Sequence, residues 1–137
     1  MKNTTLRRVL GTVAALGALT AGTLVTAAPA SAANKDGSMD SDEFALFFQS
    51  ANPSSWTDFA YDESLLSNDR FITPGPGKDQ VVDNNAESYF NFDNVTWYVY
   101  TGAEAKGTEG WIPAKVSGNF SGNFVNQVSS IYDNDAN

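Results

Sequence analysis

The stretches Asp83-Asn84-Asn85-Ala86-Glu87-Ser88 and Val125-Asn126-Gln127-Val128-Ser129-Ser130 decide how this chain is expected to fold. Each follows a glycine-rich turn and lies beside or inside a run of β-prone residues. Each places side-chain oxygens at its second and sixth positions, with more at the first or fifth. Because the two stretches begin 42 residues apart, they indicate an internal repeat.

Alternating apolar residues predict short strands before the first stretch. Phe44, Leu46 and Phe48 fall on one face of a strand, and residues 56–61 predict a second strand. Residues 61–68 predict a short helical turn, the one place after residue 32 where helix competes with strand.

The second half repeats this order. Residues 97–101 alternate as a strand does, residues 102–110 predict a glycine-punctuated loop, and residues 111–112 predict a short strand. Residues 118–122 predict a turn that leads towards the second stretch. Two units of short strands, without the long helices of an α/β protein, predict an all-β fold: a two-sheet antiparallel sandwich of two Greek keys.

Residues 1–32 have the pattern of a signal peptide. Lys2, Arg7 and Arg8 make a basic start, residues 9–26 are uncharged, and Ala30-Ser31-Ala32 has the small residues that a signal peptidase recognises. A membrane anchor is the alternative, but the Gly, Ala and Thr content and the cleavage pattern favour a signal. The mature protein is therefore expected to start at Ala33, to be secreted and to act outside the cell.

The rest of the chain divides by composition. Residues 33–43 are acidic with little apolar content, which predicts a disordered lead-in. Residues 44–132 form the expected double Greek-key domain, and residues 133–137 read as an acidic tail.

Charge and composition limit the possible functions. The net charge is −8, and it becomes −11 after residue 32, because all 16 acidic residues but only five basic ones follow. Such a charge disfavours nucleic-acid and membrane partners and favours cations and basic protein surfaces, although solubility alone would also explain it. A monomer is expected.

The chain has no His and no Cys, which excludes Ser/His/Asp triads, cysteine nucleophiles, disulfides and the usual zinc centres.

Carboxylate chemistry remains open in principle, as in glycosidases. Candidate carboxylate pairs could be drawn from Asp62, Glu63, Glu104 and Glu109, but among 16 acidic residues some pair always lies close. The chain is therefore expected not to be an enzyme. The three tryptophans, Trp56, Trp97 and Trp111, could form a sugar-stacking platform, but their positions in strand-like runs favour core packing.

The oxygen-rich stretches also suggest a metal site, because clustered carboxylate, amide and hydroxyl oxygens suit a hard cation such as Ca²⁺.

In addition, the chain resembles the βγ-crystallins, and among them the secreted actinobacterial proteins grouped with a metalloproteinase inhibitor of that fold. The resemblance rests on the two stretches and on Tyr100 with Gly107, which keep the spacing of the family's aromatic corner, although Ala105 replaces its second aromatic. The first corner, after Phe47, lacks both the second aromatic and the glycine.

The resemblance implies calcium sites that each take oxygens from both stretches. Glu87 replaces a Ser or Thr of the family motif, and Val125 occupies a place where the family has Asn or Asp, so one weak calcium site is expected, with a dissociation constant of about 10⁻⁴ to 10⁻³ M. The candidate metal ligands are Asp83, Asn84, Asn85, Glu87, Ser88, Asn126, Gln127, Ser129 and Ser130. The alternative is that these side chains only satisfy turn amides, with the Ser88 and Ser130 hydroxyls tying loop to strand.

Two functions follow from the resemblance. The first is a secreted proteinase inhibitor that presents a rigid loop to a secreted protease, and the candidate loop is Thr73, Pro74, Gly75, Pro76, Gly77 and Lys78. The second is a calcium-responsive structural or cell-envelope module without inhibitory activity, in which the ion stabilises the native state.

Overall fold

The computed structural model describes residues 34–51 and 53–134, and the predicted signal peptide lies outside these ranges. Within these ranges, two 3₁₀ helices, at Leu66–Asn68 and Gly122–Phe124, accompany seven β-strands. No helix in the described ranges is long and apolar enough to cross a membrane. The strands are β1 (Phe44–Phe47), β2 (Trp56–Phe59), β3 (Ser88–Asn91), β4 (Trp97–Gly102), β5 (Lys106–Ile112), β6 (Ser117–Asn119) and β7 (Ser130–Asp133).

The strands form two antiparallel sheets. The four-stranded sheet has the order β2-β1-β3-β6, and the three-stranded sheet has the order β5-β4-β7. Strand β6 belongs to the second half of the chain but joins the sheet of the first half. In return, Glu63 from the first half forms an isolated bridge with Ile131 of β7, with two backbone hydrogen bonds of 2.9 Å. This exchange confirms the predicted two-sheet fold of two Greek keys.

The core lies between the two sheets and is built from alternate residues of their strands. Phe44 and Leu46 of β1 are fully buried in it, as their shared strand face predicts. The ring of Phe44 stacks on that of Trp97 from the other sheet at 5.1 Å between centroids. Each such side chain contributes about 1.5–3 kcal/mol on burial, so apolar packing holds a chain that has no disulfides.

The predicted loop at residues 102–110 is wrong, because most of it belongs to β5. A Cβ on Gly110 would lie 2.9 Å from the ring of Phe124, so this glycine permits close packing inside a strand. The predicted turn at residues 118–122 is wrong for its first two residues, which lie in β6, and right for Gly122, which has φ of 56° and begins the second 3₁₀ helix. Gly118 lies in β6, where a Cβ would meet the Tyr89 hydroxyl at 2.8 Å. In both places a glycine marks close contact within the fold, not a turn.

The predicted disordered lead-in also differs from the structure over its described part, residues 34–43. The backbone amides of Asp36 and Gly37 donate to the carboxylate of Asp58 at 3.0 and 2.9 Å. Lys35 Nζ forms ion pairs with the carboxylate of Glu63 at 2.8 Å and with that of the mostly buried Asp69 at 2.5 Å. Polar contacts of this kind can fix a segment that has little apolar surface of its own.

The expected acidic tail begins later than residue 133. Strand β7 includes Asp133, and the amide of Asn134 donates to the Thr96 carbonyl at 2.9 Å. Residues 135–137 lie outside the described ranges.

Candidate functional site

The two oxygen-rich stretches lie against each other in the structure. The amide of Asn84 donates to the carbonyl of Val128 at 3.1 Å, and the amide of Asn126 donates to the carbonyl of Ala86 at 2.9 Å. Asn84 and Asn126 both adopt left-handed backbone angles, with φ of 57° and 54°. Asn tolerates this region better than most residues, which explains its presence at the second position of each stretch. The two stretches are therefore joined by reciprocal backbone hydrogen bonds.

The repeat extends to the fifth position of each stretch. The amide of Glu87 donates to the carbonyl of Phe47 at 3.0 Å, and the amide of Ser129 donates to that of Tyr100 at 2.8 Å. Phe47 and Tyr100 therefore occupy equivalent places on β1 and β4, as the aromatic corners of the sequence indicate. The internal repeat is a repeat of structure as well as of residue types.

The serines at the sixth position tie loops to strands. The Ser88 hydroxyl donates to the Gln49 carbonyl at 2.9 Å, and the Ser130 hydroxyl donates to the Gly102 carbonyl at 2.7 Å. The Ser130 oxygen also accepts from the Ala105 amide at 3.1 Å. Both hydroxyls thus have the structural role that was the alternative to metal binding.

Oxygens from both stretches meet at one place, which we call the cross-stretch cluster: Asp83, Asn84 and Ser129. The Ser129 hydroxyl donates to Asn84 Oδ1 at 3.3 Å, and Asn84 Nδ2 donates to Asp83 Oδ2 at 3.3 Å. Within the described part of the chain, Asp83 Oδ1 is buried and has no hydrogen-bond partner. A buried carboxylate oxygen without a partner is costly, so Asp83 Oδ1 is the oxygen of the cluster that would gain most from a cation.

The other predicted ligands point to different partners. The Glu87 carboxylate accepts from the Ser50 amide at 3.1 Å, and Asn85 Nδ2 donates to the Val81 carbonyl at 2.9 Å. Gln127 is exposed, and Val125, which has no side-chain oxygen, packs against the core. More side-chain oxygens therefore lie around Asp83 than around Val125, which is the equivalent residue of the second stretch.

The chemistry of the cross-stretch cluster suits a hard cation held weakly. Across residues 34–51 and 53–134, no group of three or more His, Cys, Asp or Glu side chains could hold a metal. An ion at Asp83 would therefore depend on amide, hydroxyl and carbonyl oxygens around a single carboxylate. Such a donor set fits Ca²⁺ better than a transition metal.

The candidate loop at residues 73–78 is held firmly on the domain. The Thr73 amide donates to the Trp56 carbonyl at 3.2 Å, and the Pro76 carbonyl accepts from the Ser55 amide at 2.9 Å. Gly77 has φ of 90° and lies so close to Phe48 that a Cβ would meet the ring at 2.1 Å. Pro74, Gly75, Pro76 and Lys78 are nevertheless exposed. The loop is thus both rigid and accessible.

The three tryptophans do not form one platform. Trp97 is fully buried in the core, whereas Trp56 lies on the four-stranded sheet and Trp111 on the three-stranded sheet. The prediction of core packing is confirmed for Trp97. It is wrong for Trp111, which is 66% exposed. Strand alternation explains the difference, because Trp111 neighbours the core residue Ile112 and so faces the opposite way.

The acidic residues considered for catalysis have individual partners. Glu63 pairs with Lys35, Glu104 pairs with Lys106 at 2.9 Å, and Glu109 accepts from the Tyr100 hydroxyl at 2.7 Å. Asp62 accepts from the Asp133 amide at 2.8 Å.

Sequence reasoning missed Glu43, which is fully buried. One of its oxygens accepts from the Asp40 amide at 2.7 Å, and the other is buried without a partner in the described ranges. Burial, opposed by the hydrogen bond from the Asp40 amide and assisted by the negative charges of Asp58, Asp40 and Asp36, raises the pKa of the Glu43 carboxyl to about 7. Nothing in the sequence distinguishes Glu43 from the acidic residues before it, because its burial depends on how residues 34–43 fold back.

Comparisons with known proteins bear on the fold. No protein-family model matches the sequence, and no curated protein matches it. A solved structure described as "Evolution of the eye lens beta-gamma-crystallin domain fold" is similar to this chain, with a TM-score of 0.54 and 7% identity, covering 67% of this chain and 84% of that chain. At this identity the likeness concerns the fold alone.

Proposed function

We propose, from the premise that this chain has the βγ-crystallin fold, that it is a secreted, non-enzymatic module whose cross-stretch cluster binds Ca²⁺ weakly. The fold is typical of structural proteins. The observation that carries the calcium part is Asp83 Oδ1, which is buried and lacks a hydrogen-bond partner among the described residues. A bound cation would compensate for that cost.

The geometry of the cluster supports a site shared between the two stretches. Asp83 comes from the first stretch and Ser129 from the second, and Asn84 contacts both of them. An ion held there would bind only when the two halves of the domain are docked. It would therefore bind the native state and not the unfolded chain, and would stabilise the protein.

The expected affinity is low because the cluster has one carboxylate. A dissociation constant of about 0.1–1 mM is typical of extracellular calcium modules. At about 10 mM Ca²⁺ the linkage relation then gives about 1.4–2.7 kcal/mol of added stability. For a domain of this size that raises the melting temperature by several degrees.

The test is thermal unfolding of the purified protein with Ca²⁺, with Mg²⁺ and with a chelator. Ca²⁺ should raise the melting temperature and Mg²⁺ should do so less, because Mg²⁺ demands a tighter octahedral site. Asp83→Asn should abolish the calcium effect, since it removes the charge and keeps the shape. Ser129→Ala should reduce it.

Asp79→Asn is the matched control, because Asp79 is an exposed residue with left-handed backbone outside the cluster. This variant should keep the full calcium effect. A wild-type protein whose melting temperature does not respond to Ca²⁺ would contradict the calcium site, as would an equal response in Asp83→Asn.

A second function, inhibition of a secreted metalloproteinase, is favoured by the loop at residues 73–78. The loop is exposed at Pro74, Pro76 and Lys78, yet its backbone is bonded to Ser55 and Trp56. A loop already fixed in one conformation loses little entropy on binding a protease cleft.

Its test is a panel of secreted metalloproteinases assayed with the purified protein at micromolar concentration. Inhibition should weaken in Lys78→Ala and remain in Lys106→Ala, which removes a lysine on β5, outside the loop. Simple digestion of the chain by every protease of the panel would reject this function without affecting the calcium proposal.

A further inference from the structure

The outer surface of the three-stranded sheet carries a set of aromatic side chains, which we call the aromatic face. It consists of Tyr98 and Tyr100 on β4, Trp111 on β5 and Tyr132 on β7. Tyr98 is paired with Trp111 on one side and with Tyr132 on the other, so these three form one row across the sheet. With strands about 4.8 Å apart, the row spans about 10 Å.

The second layer of the aromatic face lies beside this row. Tyr100 contacts Tyr132 ring to edge, with centroids 5.8 Å apart. The four rings alternate along their strands with the core residues Trp97, Val99, Ile112 and Ile131, which places them on the side away from the core.

The internal repeat shows that the same place in the other half of the domain is covered. Because Phe47 is equivalent to Tyr100, the counterparts of Tyr98 and Trp111 are Ala45 and its strand partner Asp58. Ala45 and Asp58 are fully buried, although they too face away from the core. The lead-in lies over them, since the amides of residues 36 and 37 donate to the Asp58 carboxylate. Trp111, at the corresponding place, is 66% exposed.

Negative charge surrounds the aromatic face. The Tyr100 hydroxyl donates to the Glu109 carboxylate, which raises the pKa of Tyr100 to about 12. The pKa of Tyr132 is raised by burial and then by the charges of Asp62, Glu104 and Glu63. Two of these carboxylates are paired with lysines, Glu63 with Lys35 and Glu104 with Lys106. The surroundings of the face therefore keep a net negative charge, with the exposed Glu109 carboxylate directly beside the rings.

We propose that the aromatic face binds an arginine-rich segment of another protein. Guanidinium groups stack on Trp and Tyr rings and form paired hydrogen bonds with carboxylates, and the face offers both kinds of partner side by side. The four-stranded sheet provides a precedent within the molecule, because a polypeptide segment, the lead-in, already covers its equivalent outer surface at Ala45 and Asp58.

Charge complementarity selects this occupant over the alternatives. A second copy of the chain would bring another net charge of −8 against an acidic surface, which disfavours self-association through this face. Nucleic acids and anionic lipid surfaces are repelled for the same reason. A neutral polysaccharide could stack on the rings but would gain nothing from the surrounding carboxylates.

The test is calorimetric titration of the full chain with a soluble peptide of alternating arginine and glycine. The peptide should bind at low salt and progressively more weakly as salt is added, because the attraction is partly electrostatic. Trp111→Ala should raise the dissociation constant about two- to five-fold, the loss expected for one exposed cation–π contact. Glu109→Gln, as a single change, should weaken binding more than Trp111→Ala does. It should also reduce the dependence of the dissociation constant on salt.

Two controls separate the aromatic face from the rest of the acidic surface. Val116→Ala truncates a side chain that is 38% exposed next to β6, and Asp79→Asn removes a charge from a different loop. Both should bind the peptide as the wild type does. Melting curves of all variants verify that each has folded.

Four outcomes would overturn the proposal: no binding of the arginine peptide, equal binding by Trp111→Ala, salt-independent binding of neutral cello- or chito-oligosaccharides to this face, or dimerisation that Trp111→Ala abolishes. The last two would assign the face to a glycan or to a second copy. None of these outcomes affects the calcium proposal, which rests on Asp83.

Discussion

Asn84 and Asn126 occupy the same place in the two halves of the domain, and each donates its amide to a carbonyl of the other half, at 3.1 and 2.9 Å. Both have left-handed backbone angles. The two stretches therefore hold the halves together through their backbones, and within the described residues their side-chain oxygens also meet, at Asp83, Asn84 and Ser129.

Replacing Asn126 by alanine should lower the free energy of unfolding by about 1 kcal/mol, because a Cβ-bearing residue other than Asn or Asp is strained at positive φ. Asn126→Gly should cost less, since glycine adopts this region freely. Urea denaturation measures both. Equal losses of stability in the two variants would mean that the contacts of the Asn126 side chain, and not its backbone angle, determine the stabilisation at this position.

Gly77→Ala should destabilise the protein strongly, because its Cβ would overlap the ring of Phe48 at 2.1 Å. A loss of about 2–4 kcal/mol is expected, as overpacking and backbone strain combine. Gly122→Ala is the matched control, with φ of 56° and no atom within 4 Å of the added Cβ. It should cost only about 1 kcal/mol. Similar losses for both would show that the contact with Phe48 is not tight.

Glu43 should make stability depend on pH between about 4.5 and 7. Its pKa is raised to about 7 in the folded state, so the folded protein binds this proton more tightly than the unfolded chain does. The resulting stabilisation is complete below the unfolded pKa and is lost as the pH rises through 7. Glu43→Gln should therefore be more stable than the wild type at pH 8 by about 1–3 kcal/mol, with a smaller gap at pH 4.

The measurement is urea denaturation of both proteins across this pH range. Asp79→Asn serves as the control and should follow the wild-type curve. A constant difference between Glu43→Gln and the wild type at all pH values would argue against titration of Glu43.

Lys35→Gln should release the lead-in from the domain. Lys35 forms ion pairs with Glu63 and with Asp69, whose carboxylate is mostly buried. Removing the lysine leaves that carboxylate without its cation, at a cost of about 1–3 kcal/mol for a partly exposed pair. Hydrogen exchange should quicken at the Gly37 amide, which donates to Asp58.

Lys106→Gln removes a lysine from a fully exposed pair with Glu104 and should leave stability and exchange unchanged. Unchanged exchange at Gly37 in Lys35→Gln would show that the Asp58 contacts hold the lead-in without the ion pairs.

Local pattern was sufficient to predict the class of fold. The repeat of the two oxygen-rich stretches and the alternation at Phe44 and Leu46 indicated two β units, and both are present. The positions of Gly110 and Gly118 were misread as loop and turn, because a glycine that permits close packing looks the same in sequence as one that permits a turn.

The candidate site could be predicted only in part. Residue types placed oxygens at Asp83 and Ser129, but the hydrogen-bond partners of the Ser88 and Ser130 hydroxyls come from segments distant in sequence, at Gln49 and at Gly102, the last residue of β4. Which oxygens remain without a partner is a property of these long-range contacts.

The sequence by itself determined that the chain is a duplicated all-β protein without imidazole or thiol chemistry, because composition and period-two alternation are local properties. Only the tertiary structure decided that residues 34–43 cover Asp58 while Trp111, at the corresponding place, stays exposed. The physical reason is that burial depends on which distant segment lies over a residue, and two equivalent strand positions in a repeat can differ completely in that respect.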